Sequence, residues 1–239
     1  VSEPISVHVW SDVICPWCYI GKRRFETAVA AFDGDVVVEY HSFELAPDTP
    51  VDFEGSEVDF LIGHKGLPRE QVEQMLAHVT ALAADDGLTY DFSRSKQTTT
   101  LRAHELLHHA KAHGRQAELV ERLFAAHFTE GGHVGRVEDL VVLAAEVGLD
   151  ADAAREALET GTYREAVAAD LDAARRIGIR GVPFYVIGER YGVSGAQSPE
   201  VFADALRRAA EDLAAAAEDE AAATDERSAA EPETAEAVR

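Results

Sequence analysis

The chain has 239 residues, 46% of them hydrophobic, which is ample for one buried core with a sizeable insertion and excludes disorder throughout. Its 22 Lys/Arg against 44 Asp/Glu leave a formal charge of −22, so the basic surface that nucleic-acid phosphates require is absent and no nucleic-acid partner is expected. No apolar run approaches the roughly 18 residues of a membrane span, and the opening VSEPISVHVW lacks the charged-then-apolar layout of a secretory leader; a cytoplasmic protein with no membrane partner is expected.

Ile5 to Val9 alternates apolar and polar side chains as a half-buried strand does, and Trp17 to Phe32 then takes up helical spacing. Between them stand Cys15 and Pro16. Proline suits the first position of a helix, where its missing N–H would have no partner, so Cys15 falls at the cap. Val36 to Phe43, rich in β-branched and aromatic residues, reads as a second strand. From 56 to 178 the pattern is helical, punctuated by Gly66, Gly87, Gly114, Gly131-Gly132 and Gly148. Val182 to Ile187 and Tyr191 to Ser194 read as a hairpin about Gly188-Glu189, and Ser198-Pro199-Glu200 opens a last amphipathic helix to about Ala216. The expected organisation is an α/β unit of residues 1–55 and 179–217, an inserted helical unit of residues 56–178 whose last helix can pack on the sheet, and a solvated Ala/Glu-rich tail of residues 218–239.

Two cysteines three apart are too few for a disulfide scaffold and are the right number for one redox pair or half a metal site. On a helix start they share one face and can bridge, while the unpaired amides and positive dipole end stabilise a thiolate on the first. Cys15 is therefore the expected nucleophile and Cys18 the resolving thiol, exchanging disulfides with a substrate through a mixed disulfide. Trp17, at the helix start, is a candidate substrate contact, whereas Trp10 belongs to the core. Asp12 reads first as a solvated turn residue and second as a group tuning the pair. Glu39 and Glu44, on or just after the second strand, are candidates for a buried acid beneath the cysteines, and neither is favoured.

The runs SDVICPWCYIGK and GVPFYVIGERYGVSGAQ resemble the DsbA-like branch of the thioredoxin superfamily, and its cytoplasmic FrnE-type members above all. The resemblance implies a thioredoxin-like fold with a large all-helical insertion after the second strand. It also implies a cis-proline loop at Val182-Pro183 facing the cysteines, and protein or small-molecule thiols and disulfides as partners, with no cofactor beyond the redox-active disulfide and with glutathione as a conceivable co-substrate. FrnE-type proteins are associated with aromatic polyketide pathways. Periplasmic members commonly carry proline and histidine between the cysteines, whereas this chain has Pro16 and Trp17; losing a histidine donor implies a less oxidising pair. Relatives of this branch include glutathione-dependent 2-hydroxychromene-2-carboxylate isomerases, which usually have serine at the first cysteine position, so two cysteines favour redox work over that alternative. A non-catalytic polypeptide-binding module is the other alternative, separable by a Cys15→Ser substitution. Physiological substrate and oligomeric state are not legible in the sequence.

Residues 104–108 spell H-E-x-x-H, which would place His104 and His108 one helical turn apart around a zinc ion with Glu105 as base. The extended zincin pattern fails, because Lys111 stands where glycine is needed and Gly114 where a histidine is. The segment Thr99 to His113, which also holds His109, therefore reads as a half-exposed, histidine-rich helix, and no metal is assigned to the chain.

Overall fold

The computed structural model describes residues 3–230, with side chains described to 218. Strand β1 (Ile5–Ser11) leads into helix α1 (Pro16–Ala30) and strand β2 (Val36–Ser42). Seven α-helices follow, α2 (Glu57–Lys65), α3 (Arg69–Asp85), α4 (Leu101–Ala112), α5 (Gln116–Ala125), α6 (Val137–Glu146), α7 (Ala151–Thr160) and α8 (Arg164–Arg176), and α5 runs on into a π-helical turn, Ala126–Glu130. Strands β3 (Phe184–Ile187) and β4 (Tyr191–Ser194) and helix α9 (Pro199–Ala230) complete the chain. The sheet runs β2-β1-β3-β4, with β1 and β2 parallel and the other neighbours antiparallel.

This is a thioredoxin-like arrangement with a helical insertion after β2, and its two sheet faces are unlike. Val7, Val9, Tyr185 and Ile187 point to the side of α1 and α9, where they pack with Ile20, Phe25, Phe202 and Leu206 in the main core. Trp10, Phe184 and Val186 point the other way, onto Ala174 of α8 and Ile179 just beyond it. Alternation along each strand puts consecutive residues on opposite faces, and α8 is the helix that covers the second face.

Local chemistry explains the joints. Ser56 and Asp59 form a reciprocal capping box at the start of α2, and Gly66 ends that helix at φ 66°. Gly188 and Glu189 both adopt φ near +60° (58° and 59°), which a tight hairpin between twisted strands requires; Arg190 N–H closes the turn on Ile187 O at 3.3 Å. α1 is tied to the insertion by buried Lys22, whose Nζ lies 2.5 Å from Glu121 on α5 and 2.6 Å from Glu26, while Tyr19 Oη donates to Glu121 at 2.6 Å.

Several boundaries differ from the sequence pattern. β1 extends two residues past Val9, because Trp10 pairs with His41 and Phe184 and Ser11 pairs with Ser42. β3 starts at Phe184, so Val182 and Pro183 precede it as a loop. The last helix does not stop near Ala216 but runs to Ala230, since the Ala/Glu composition taken for a solvated tail is that of a strong helix former. The rest of the expected tail, residues 231–239, lies outside the described residues. Nor is α4 half-exposed: His104, Glu105 and His109 are all buried.

Candidate active site

The turn after β1 is closed by Cys15 N–H donating to Asp12 O at 3.0 Å, which sets Cys15 as the cap of α1 with Pro16 as its first residue. Cys18 N–H then donates to Cys15 O at 3.0 Å, so both thiols lie on one side of the first turn. The two cysteines are not bridged, and only 3% of Cys15 and 2% of Cys18 is exposed. The pair thus sits in a nearly dry pocket, and Cys15 Sγ faces the carbonyl of Val182 at 3.6 Å.

The Val182–Pro183 peptide is cis. Its loop fits against α1 only because residue 21 is glycine: a Cβ there would lie 2.8 Å from Tyr185 Oη and 3.0 Å from Pro183 Cγ. On the opposite side Tyr90, from the insertion, donates its hydroxyl to Pro16 O at 2.7 Å and pins the helix start. A cleft with a cavity of about 260 Å³ opens beside Cys15, Pro16 and Val182. Its far wall is made by α2 and α3 with Phe60, Leu61, Met75 and Val79, and Trp17, 38% exposed, stands at its edge.

Burial pushes the Cys18 thiol well above the ordinary range, and its hydrogen bond to Cys15 and the charge on that sulfur push the same way; Ser11 and the Asp12 backbone only partly offset this. Cys18 therefore keeps its proton at neutral pH. Glu57 lies in the cavity wall, and burial raises its carboxyl to about 7 against a hydrogen bond from Gln97 that lowers it. Neither Glu57 nor Gln97 was singled out in the sequence. They are 40 positions apart, and only the folding of α2 against the loop before α4 brings them together.

Asp12 is fully buried, which overturns its reading as a solvated turn residue. One carboxylate oxygen accepts from Leu45 N–H at 2.8 Å; the other has no hydrogen-bond partner and lies 3.4 Å from His104 Nε2. Nearby His127 is also fully buried, with neither ring nitrogen hydrogen-bonded, and burial lowers it to about 4. Glu39 is not near the cysteines: it lies on the α8 face of the sheet, against Lys111 and His41. Glu44 is half-buried near His104 and Asp12. Trp10 takes the core position expected of it, stacked on His41 with its Nε1–H donating to Asp170 O.

The H-E-x-x-H residues are separated by function. His104 Nε2 reaches Phe43 O at 3.0 Å, whereas His108 Nε2 reaches the Asp170 carboxylate at 2.9 Å and Glu105 pairs with Arg164 at 3.1 Å. The two imidazoles are thus engaged by different elements. Among the described residues, the set whose donor atoms lie close enough for one ion is His8, Glu39 and His41.

The fold and the paired thiols define a class, and comparison with known proteins gives the family. A profile of the DSBA-like thioredoxin domain matches residues 6–207, and the chain belongs to that family, whose members are generally thiol–disulfide oxidoreductases. The chain is 32% identical over 204 residues to the uncharacterized protein YwbO of Bacillus subtilis, covering 84% of this chain and 96% of that one. It is similar at 40% identity and TM-score 0.81 to a probable DsbA oxidoreductase of Streptomyces coelicolor, over 86% and 89% of the two chains. A cytosolic disulfide reductase, DsbM, of Pseudomonas aeruginosa, whose structure holds GSH, shares the fold at 20% identity and TM-score 0.59, over 85% and 98%.

Proposed function

We propose that the protein is a thiol–disulfide oxidoreductase of the FrnE type, exchanging disulfides through Cys15 and Cys18. The observation that carries this reading is the geometry of the pair: Cys15 caps α1 beside the Val182 carbonyl and the open cleft, while Cys18 is held protonated behind it. In the reducing direction the Cys15 thiolate attacks a substrate disulfide and expels one substrate thiolate. Cys18 then gives up its proton and attacks Cys15 Sγ, releasing the second substrate thiolate and closing the Cys15–Cys18 disulfide; two electrons pass to the substrate. The oxidising direction reverses these steps. Pro16 starts the helix, Val182 offers backbone to a bound substrate, Pro183 shapes that loop, and Trp17 contacts the substrate at the edge of the cleft. Asp12, buried with a free oxygen, is a positioning and tuning group.

The cleft's apolar far wall favours a substrate carrying an apolar group next to its sulfur, which is compatible with a role in polyketide biosynthesis. Glutathione is a fitting co-reductant, and the cytoplasm a fitting place of work. Support for both comes from the DsbM likeness, and no described helix is long and apolar enough to cross a membrane. Insulin reduction with glutathione as electron source is the test. Cys15→Ser is expected to abolish it, and Cys18→Ser to accumulate a mixed disulfide between Cys15 and substrate. Reduction by Cys15→Ser at the wild-type rate would overturn the reading.

A further inference from the structure

On the sheet face opposite α1, three side chains from two strands converge. His8 on β1 is the cross-strand partner of Glu39 on β2, and His41 follows Glu39 by two residues, so all three project to the same side. His8 Nδ1 lies 2.9 Å from His41 Nε2, and Glu39 Oε1 lies 3.4 Å from that same nitrogen. Donor atoms around a tetrahedral ion bound at about 2.0–2.1 Å stand about 3.3 Å apart; the 3.4 Å spacing fits such a shell, the 2.9 Å hydrogen-bonded pair has only to open by a few tenths of an ångström, and all three donor atoms already lie within 4.8 Å of one another. All three groups are partly exposed, which leaves a path for an ion and its water.

The surroundings orient the shell. His41 Nδ1 donates to Asp170 Oδ1 at 2.8 Å, which turns the lone pair of Nε2 toward His8 and Glu39. The other Asp170 oxygen is fixed by His108 Nε2 at 2.9 Å and Ser42 N–H at 2.8 Å, and Trp10 stacks on the His41 ring at a centroid distance of 4.6 Å. A carboxylate holding the far nitrogen of a ligating imidazole is the usual outer support of a zinc histidine. One group opposes binding: Lys111 Nζ pairs with Glu39 from α4, and it is 43% exposed, free to swing into water.

We infer that His8 Nδ1, His41 Nε2 and Glu39 form a site for a divalent transition ion of the zinc class, independent of the thiols, with a fourth position open to solvent. On binding, the proton that His8 Nδ1 shares with His41 moves to His8 Nε2, leaving two neutral imidazoles and one carboxylate as ligands. Two imidazoles and a carboxylate suit zinc over calcium or magnesium, which take oxygen shells.

The test uses the full chain with both cysteines replaced (Cys15→Ser/Cys18→Ser), stripped with a chelator and titrated with Zn2+ against a chromophoric competitor. One equivalent is expected to bind and to raise the melting temperature. His8→Gln, which removes a half-buried ligand whose single side-chain hydrogen bond is to His41, is expected to weaken binding by about 100-fold, and Asp170→Asn by about 10–100-fold. Lys111→Ala is expected to tighten it several-fold, a result that no adventitious site would give. His113→Gln, in the separate His109–His113 pair at the end of α4, is expected to change nothing. No zinc bound at micromolar concentration, or binding indifferent to His8→Gln, or binding present only with the cysteines intact, would overturn the inference.

Discussion

The two faces of the sheet bury comparable strands under helices but solve opposite problems. On the α1 face the side chains are almost all apolar, from Val7 and Val9 through Phe25, Tyr185 and Phe202, and the reactive sulfurs stand nearly buried at its rim. On the α8 face β1 and β2 carry His8, Glu39 and His41, the Ser42 amide joins them, and the helix answers with Asp170. A charge buried without partners costs several kcal/mol, so the second face is viable only because Asp170 accepts three hydrogen bonds at once. The first face uses desolvation to hold a proton on Cys18; the second uses hydrogen bonding to keep one off Asp170, whose carboxyl burial would raise but His108, His41 and the Ser42 amide pull far below the usual range.

Removing that anchor breaks the contrast most sharply. Asp170→Ala leaves two imidazoles and the Ser42 amide without their acceptor and is expected to cost about 3 kcal/mol in urea unfolding, with the redox rate little changed. The sign with pH follows from the depressed carboxyl: the wild-type contribution is present above about pH 4 and lost as the pH falls further, so the variant's deficit shrinks in acid.

The buried carboxylate on the cleft side behaves in the opposite sense. Glu57 titrates near 7 in the fold, above its unfolded value, so its favourable contribution is full below about pH 4.5 and is lost as the pH rises through 7. Glu57→Gln is expected to be more stable than wild type at pH 8 by on the order of 2 kcal/mol and indistinguishable at pH 4, checked by thermal unfolding across that range. Gly21→Ala probes the packing of the Val182-Pro183 loop on α1. The added methyl meets Tyr185 Oη and Pro183 Cγ, an overpacking expected to cost about 1–2 kcal/mol and to slow insulin reduction at least tenfold, because the carbonyl facing Cys15 moves. The smallest change is Trp17→His, exposed at the edge of the cleft; it is expected to make the pair more oxidising, lowering its equilibrium constant with glutathione about tenfold, with no measurable loss of stability.

Much of the α1 side was legible in the linear pattern. Strand, cysteine, proline and helix are consecutive, and the capping position of Cys15 follows from local sterics that need no tertiary partner. On the α8 side the linear pattern pointed only to the core place of Trp10. Nothing within a few residues of His8, Glu39 or Asp170 marks them, and His108 was noticed for a zincin pattern whose other histidine is turned to Phe43. Asp12 failed for a related reason: three residues before a helix cap an aspartate looks like a solvated turn former, and only the loop after β2, at Leu45, together with α4, encloses it.

Taken alone, the order of residues determined the thioredoxin-like elements, the spacing of the two thiols and the helical character of the insertion, because periodicity, capping and turn chemistry act over at most a few positions. Tertiary structure decided which acids are buried, what walls the cleft beside Cys15, and that His8, Glu39 and His41 share one corner. Those depend on strand register and on which helix lands on which face, and the contacts that set them join residues far apart in the chain.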